Sequence, residues 1–218
     1  MYIENNIIRN RLSVWLILMF FLVMLMIVVG GLTRLTDSGL SITKWELFSG
    51  VFPPLTNEKW LFYFEEYKLI PEFKIQNYSM SLNEFKVIFW WEWAHRFLGR
   101  LIGIAFIIPL IYFSFTISFK KLLKFYIIFL LICFQGFLGW YMVQSGLINN
   151  IDVSHFRLSI HLLFAFIILS LILWNFLILN QTNKYNIQLI NFLPEFILFL
   201  IFLQIIIGAF VSGMDAGK

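Results

Sequence analysis

The 218-residue sequence predicts an all-α polytopic membrane protein: a four-helix bundle followed by a fifth crossing helix. Three observations predict it. Hydrophobic residues make up 61% of the chain and charged residues 13%, with a mean hydropathy of +0.85. No soluble domain needs that much apolar surface. Five apolar stretches are each long enough to cross a bilayer, which takes roughly 20 helical residues. The ends of the odd stretches resemble one another, and two even stretches each open on a histidine. The net charge of +4 suits basic loops and gives no reason to expect a nucleic-acid partner. Cys133 is the one cysteine, so no disulfide, iron–sulfur cluster or zinc site can be built within this chain.

The polar, basic segment Met1–Arg11 leads into Leu12–Val29 with no small-residue cleavage signature. It reads as a retained first span rather than a signal peptide. A long loop, Gly30–Ile88, follows. Within it Asn57–Ile70 puts Trp60, Phe64 and Tyr67 at helical spacing, opposite Glu58, Glu65 and Lys68. That pattern predicts a short amphipathic helix lying at the membrane interface. Ser81 and Glu84 fit a capping box, which starts the second helix near Leu82. That helix carries Trp90, Trp91 and Trp93 through the aromatic belt. Its apolar run is Phe89–Phe119, with a kink expected at Pro109. The third and fourth spans are Leu122–Val143 and Leu158–Leu179, and the fifth is Pro194–Val211. Arg9 and Arg11, then Lys120, Lys121 and Lys124, then Lys184 fall on one side, which the positive-inside rule makes cytoplasmic. Loops 30–88 and 144–157 then face outward.

The odd spans end alike. Gly30 to Gly39 after span one matches Gly208 to Gly217 after span five at the first and last glycine and at Asp37 and Asp215. Gln135 and Gly139 of span three match Gln204 and Gly208 of span five. The unit is a helix pair: an odd helix leaves through a Gly/Ser/Asp turn and an even helix returns with a histidine. Two pairs make residues 1–193 a four-helix half. Residues 194–218 then begin a second half that stops at Lys218, so an incomplete fold is expected.

His95 and His161 open even spans at equal depth. A metal, in a helix bundle usually haem iron, can be held between two such imidazoles. The alternative is a pair of hydrogen-bonded polar residues inside the bundle, although polar groups in a bilayer are functional by default. Gly99 and Gly103 follow His95, and Ala165 follows His161. They either leave room for a flat porphyrin or serve close helix packing. Arg96 and Arg100 could pair haem propionates or snorkel at the interface. Glu92 shares a helix face with His95 and could move protons beside a haem edge, or simply favour the helix start. His155 is given a loop role.

Taken together, Gly30-Gly31-Leu32-Thr33-Arg34-Leu35-Thr36-Asp37-Ser38-Gly39-Leu40, Gly50-Val51-Phe52-Pro53-Pro54-Leu55, Phe89-Trp90-Trp91-Glu92-Trp93-Ala94-His95-Arg96-Phe97-Leu98-Gly99-Arg100 and Gln135-Gly136-Phe137-Leu138-Gly139-Trp140-Tyr141-Met142-Val143-Gln144-Ser145-Gly146-Leu147 closely resemble haem A synthase. The resemblance covers nearly the whole chain and is to the cysteine-free branch. It implies an oxidoreductase of haem A biosynthesis that converts a methyl group of haem O to formyl for cytochrome oxidase, with eight spans in two pseudo-symmetric halves. By resemblance, His95 and His161 are the histidine pair of the first half and Glu92 is the catalytic acid. Haem O is the substrate held here, and haem b belongs to the half expected beyond Lys218. Without that half the chain is expected to be inactive. The expected setting is a bacterial inner membrane, with the N-terminus cytoplasmic. Membrane lipid, an unidentified electron donor, haem O synthase and a second copy of the chain are the candidate partners. The competing functional reading is a bis-histidine membrane cytochrome b that only carries electrons.

Overall fold

The computed structural model describes residues 5–46, 49–148, 151–181, 192–214 and 216. Lys184, one of the orienting basic residues, and Asp215 and Gly217 of the repeat lie outside the described residues. Seven helices occur among the described residues: α1 (Asn6–Leu35), α2 (Asn57–Tyr67), α3 (Pro71–Ile75), α4 (Leu82–Ser114), α5 (Phe119–Ile148), α6 (His155–Asn180) and α7 (Phe192–Gly213). Five of them, α1, α4, α5, α6 and α7, are long and apolar enough to cross a membrane. Each starts before the apolar stretch that predicted it, and α4 ends at Ser114, short of the predicted Phe119, with the rest of that run forming the turn into α5.

The Asn5 side chain accepts from the backbone N–H of Ile7 and Ile8 and starts α1. At the other end Asp37 sits at φ 46°. Its N–H bonds back to Arg34, and the Ser38 N–H bonds to Thr33. Both orphan carbonyls of the last turn are thereby satisfied, with aspartate in the left-handed place usually given to glycine. The Ser81–Glu84 capping box is present at the start of α4. That helix runs through Pro109 to Ser114.

The helices α1, α4, α5 and α6 form a closed ring in that order, each packing on its two neighbours. Helices α4 and α6 therefore sit on one diagonal, α1 and α5 on the other. Packing is uneven along the ring. At the end carrying the α4–α5 turn, a continuous core holds Leu12, Trp15, Leu16, Met19, Phe106, Leu110, Phe113, Leu122, Phe125, Ile168 and Ile172. Trp15 packs on Phe106, Phe113 and Phe125, and its Nε1 donates to the Ala105 carbonyl at 3.0 Å. Toward the long loop this packing stops. No residue is buried between Val23 and Thr33 of α1, between Glu92 and Leu98 of α4, from Phe129 to Gln144 of α5, or between Ser159 and Ile168 of α6.

A second core closes the loop end. Trp60, Phe64 and Tyr67 of α2 pack on Phe85, Ile88 and Phe89 of α4, with Leu40, Ile42 and Ile70. The apolar face expected to meet lipid is covered by protein instead, because the first turns of α4 present an aromatic face of their own. Helix α7 packs on α6 and is otherwise exposed, with Ala209 its one buried residue among those described. It packs on one helix of the ring only, but its contact with α6 is more extensive than any pair within the ring. Its loop end is nevertheless keyed into the ring: Arg34 Nη2 donates to the Ser212 carbonyl at 3.0 Å. A Cβ on Gly213 would meet the His155 backbone at 2.9 Å.

Candidate functional site

The unpacked layer is where the two histidines lie. His95 comes from α4 and His161 from α6, across the ring's diagonal, and their imidazoles are within electrostatic range of one another. Both are half-buried. The other diagonal supplies a glycine to each. A Cβ added at Gly30 of α1 would lie 3.1 Å from His95 Nε2, and one at Gly139 of α5 would lie 3.2 Å from His161 Cε1. So even a methyl group would displace each ring. The Gln135 side-chain amide donates to the His161 carbonyl at 2.8 Å and joins α5 to α6 at this depth. His161 Nδ1 is buried and has no hydrogen-bond partner among the described residues. A buried, unsatisfied imidazole nitrogen is costly unless something binds it.

Glu92, Arg96 and Arg100 form one stripe on α4, at steps of four. Their hydrogen bonds run to the loop after α1. The Glu92 carboxylate, 2% exposed, accepts from Ser41 Oγ and from the Ile42 N–H, both at 2.7 Å. Arg96 Nη2 donates to Glu92 Oε1 at 2.5 Å and to the Ile42 carbonyl at 2.9 Å. Arg100 Nη2 donates to the Glu46 carbonyl at 2.8 Å. The stripe therefore pins residues 41–46 over the ring. An exposed acid favouring a helix start does not describe Glu92, and simple snorkelling does not describe the arginines. Beside the stripe, a small cleft lies between this loop and α4, lined by Lys44, Tyr63, Trp93, Arg96 and Arg100 among others.

The remaining residues singled out from sequence fall elsewhere. A Cβ on Gly99 would meet only the tip of Met26, and one on Gly103 would meet nothing. The glycines that make room for the histidines are Gly30 and Gly139 instead. Both stood in the repeated turn motifs, so the signal existed, but their partners lie 65 and 22 residues away in sequence. His155 begins α6 and packs its ring on Phe156 and Phe210. Ser41 carried no signal of its own.

The arrangement suits a flat, doubly ligated group. It has two imidazoles on opposite helices, a glycine against each, few buried residues around them, and arginines nearby on α4. A family model described as cytochrome oxidase assembly protein, COX15-CtaA, matches residues 13–218. The chain is 56% identical over 221 residues to the heme A synthase of Pelagibacter ubique, covering all of this chain and 65% of that one. It is 50% identical to the heme A synthase of Flavobacterium psychrophilum, over 98% of this chain and 64% of the relative. It is 44% identical to that of Rickettsia bellii, over 96% and 64%. The chain thus spans slightly less than two thirds of the length of these curated relatives. No solved structure matches.

Proposed function

Given that the chain belongs to the COX15-CtaA family of cytochrome oxidase assembly proteins, we propose that its four-helix ring binds haem O and takes part in oxidising a haem O methyl group to the formyl of haem A. One observation carries this reading: among the described residues, His95 and His161 lie in the stretch of the ring where few residues are buried, each against a glycine. Bound there, the haem would supply its iron as the redox centre. The protein's part is positioning. His95 and His161 hold the plane within the ring's open layer. Arg96 and Arg100 would attract the propionates at the loop end, since a guanidinium pairs carboxylates in a bidentate way. The segment 41–46 caps the layer and keeps water out. Glu92 is positioned to hold or move a proton one helical turn from His95.

In this reading the loop end faces the outside of a bacterial inner membrane and the N-terminus is cytoplasmic. The basic residues Lys120, Lys121 and Lys124 at the α4–α5 turn, with Arg9 and Arg11 beside it, support that orientation. Residues 1–193 act as the substrate half, with α7 opening the next. Haem b, an electron donor, haem O synthase and a second copy of the chain belong to the complete system.

The test is spectroscopic. The purified chain is loaded with haem O and its optical and electron-paramagnetic spectra are recorded. Wild type should give a low-spin bis-histidine signature. His95→Ala and His161→Ala should each lose it. Extraction of the native pigment decides the class: haem O or haem A supports the proposal, and haem b alone indicates an electron carrier. Retention of the low-spin signature by both variants would remove the site.

A further inference from the structure

The apolar face of α2 packs on α4, but the segment leading into α2 leaves three large apolar side chains in the open. Trp45 is 45% exposed, Phe52 75% and Leu55 78%. Their height on the ring follows from α4. At about 1.5 Å per residue its 33 residues span roughly 50 Å, against roughly 30 Å of hydrocarbon. The basic end of the ring shows where the excess lies. Tyr112, which accepts a hydrogen bond from Arg11 Nη1, marks that end, and roughly 20 residues back along α4 is Trp93. Trp90, Trp91 and Trp93 gather at this level, as aromatic residues do at a bilayer boundary. The first turns of α4 stand beyond it.

Several contacts bring the segment down to this boundary. Arg96 Nη2 donates to the Ile42 carbonyl at 2.9 Å, and the Arg96 guanidinium lies 5.4 Å from the centre of the Trp45 ring. Arg100 Nη2 donates to the Glu46 carbonyl at 2.8 Å, and a Cβ on Gly50 would lie 3.2 Å from the same nitrogen. Phe52 lines the small cleft together with Trp93. Leu55 is placed by α2, which runs antiparallel to α4. Trp60 packs on Phe89 and Trp90, whereas the later Phe64 and Tyr67 pack on Phe85. The start of α2, with Leu55 just before it, is therefore its end nearest the bilayer. Non-helical backbone is tolerated at such a depth only where protein satisfies its polar groups. The Glu92–Arg96–Arg100 stripe does this, taking the N–H and carbonyl of Ile42 and the carbonyl of Glu46. Along the same stretch α4 leaves Phe97, Leu101 and Ile104 exposed, as a crossing helix does toward lipid. The exposed side chains of the segment continue that surface.

We propose that Trp45, Phe52 and Leu55 form an interfacial anchor, inserted among the phospholipids of the leaflet at the loop end. Large apolar side chains left exposed together mark a membrane or a protein contact, and their height at the boundary selects the membrane. The partner is the headgroup–acyl boundary of the leaflet rather than one lipid species. The cap over the histidine layer, residues 41–46, is thereby tied to the membrane as well as to α4. The anchor does not depend on what the ring binds.

The whole chain in phosphatidylcholine vesicles tests it. In a Cys133→Ser background, which removes the one native cysteine, Trp45→Cys, Phe52→Cys and Leu55→Cys are each labelled with a nitroxide. Tyr78→Cys, at a position 73% exposed just before the cap of α4, is the aqueous reference. Power saturation compares collisions with oxygen, which concentrates in lipid, and with a water-soluble nickel chelate. The labels at 45, 52 and 55 should favour oxygen several-fold, and the label at 78 should favour nickel. Nickel access at 52 and 55 equal to that at 78 overturns the proposal. Poor access to both reagents also overturns it, since protein rather than lipid would then cover the segment. Wild type gives a check without substitutions. A phosphatidylcholine with a photoreactive group high on its acyl chain should cross-link within residues 45–55. Cross-links confined to the crossing helices would overturn the anchor.

Discussion

At the scale of single residues, the site depends on what is absent as much as on what is present. Gly30 and Gly139 give the imidazoles their places, so Gly30→Ala and Gly139→Ala should leave the fold intact and disturb the haem. A ring pushed off its rotamer costs about 0.5–1.5 kcal/mol. Because the contact exists without haem, the haem-free protein should lose about that much stability, and bound haem should show an altered low-spin spectrum. Glu92 allows a sharper separation. Glu92→Gln keeps the shape and can still accept from Ser41 and Ile42, so the matching change in a full-length relative should leave haem binding intact while haem A formation is abolished. Glu92→Ala leaves the Arg96 guanidinium buried without its carboxylate, a loss of about 3–5 kcal/mol in comparable buried pairs. The amide of Ile42 should then exchange with solvent faster in hydrogen-exchange measurements. Full haem A output from Glu92→Gln would take Glu92 out of the chemistry and leave it as the loop's anchor.

At the scale of elements, the informative case is α2. Its sequence has the amphipathic pattern of an interfacial helix, and the structure buries that pattern in protein. Lipid and an aromatic face of α4 make the same demand on a helix, an apolar stripe, so periodicity alone does not separate them. Trp60→Ala or Phe85→Ala should therefore cost about 3–5 kcal/mol of stability, as large-to-small changes in packed cores do. The loss should be the same in detergents of different chain length. A strong dependence on the detergent would return α2 to the interface. The start of α4 is the opposite case. Ser81 and Glu84 are legible as a capping box because that motif is local, a reciprocal pair of bonds three residues apart.

At the scale of the whole molecule, one buried acid of the loop core, Glu72, ties stability to pH. Glu72 is near its ordinary carboxyl value of 4.5 in the unfolded chain and is raised to about 8 in the folded one. Below the lower value both states hold the proton and there is no penalty. Between the two values the unfolded chain releases its proton and the folded chain does not. Stability then falls as pH rises, by at most about 1.4 kcal/mol per pH unit. Above about 8 the fall levels off. Melting temperatures of wild type should decline across that window, and the decline should be shallower in Glu72→Gln. Identical slopes for the two proteins would place the proton elsewhere.

The sequence by itself determined the class, the five crossing helices, the helix-pair repeat and the two histidines. These are written in composition, in runs of roughly 20 residues and in motifs a few residues long, and the bilayer leaves little choice about what such runs become. The tertiary structure decided which residues meet. It set Gly30 against His95 and Gly139 against His161, turned Glu92 and Arg96 onto Ser41 and Ile42 some 50 positions earlier, and buried Glu72 in the loop core. The reason is geometric. Local pattern tells a helix which face is apolar, but the order of helices around the ring and the path of a 46-residue connection between α1 and α4 arise only when all of them pack at once.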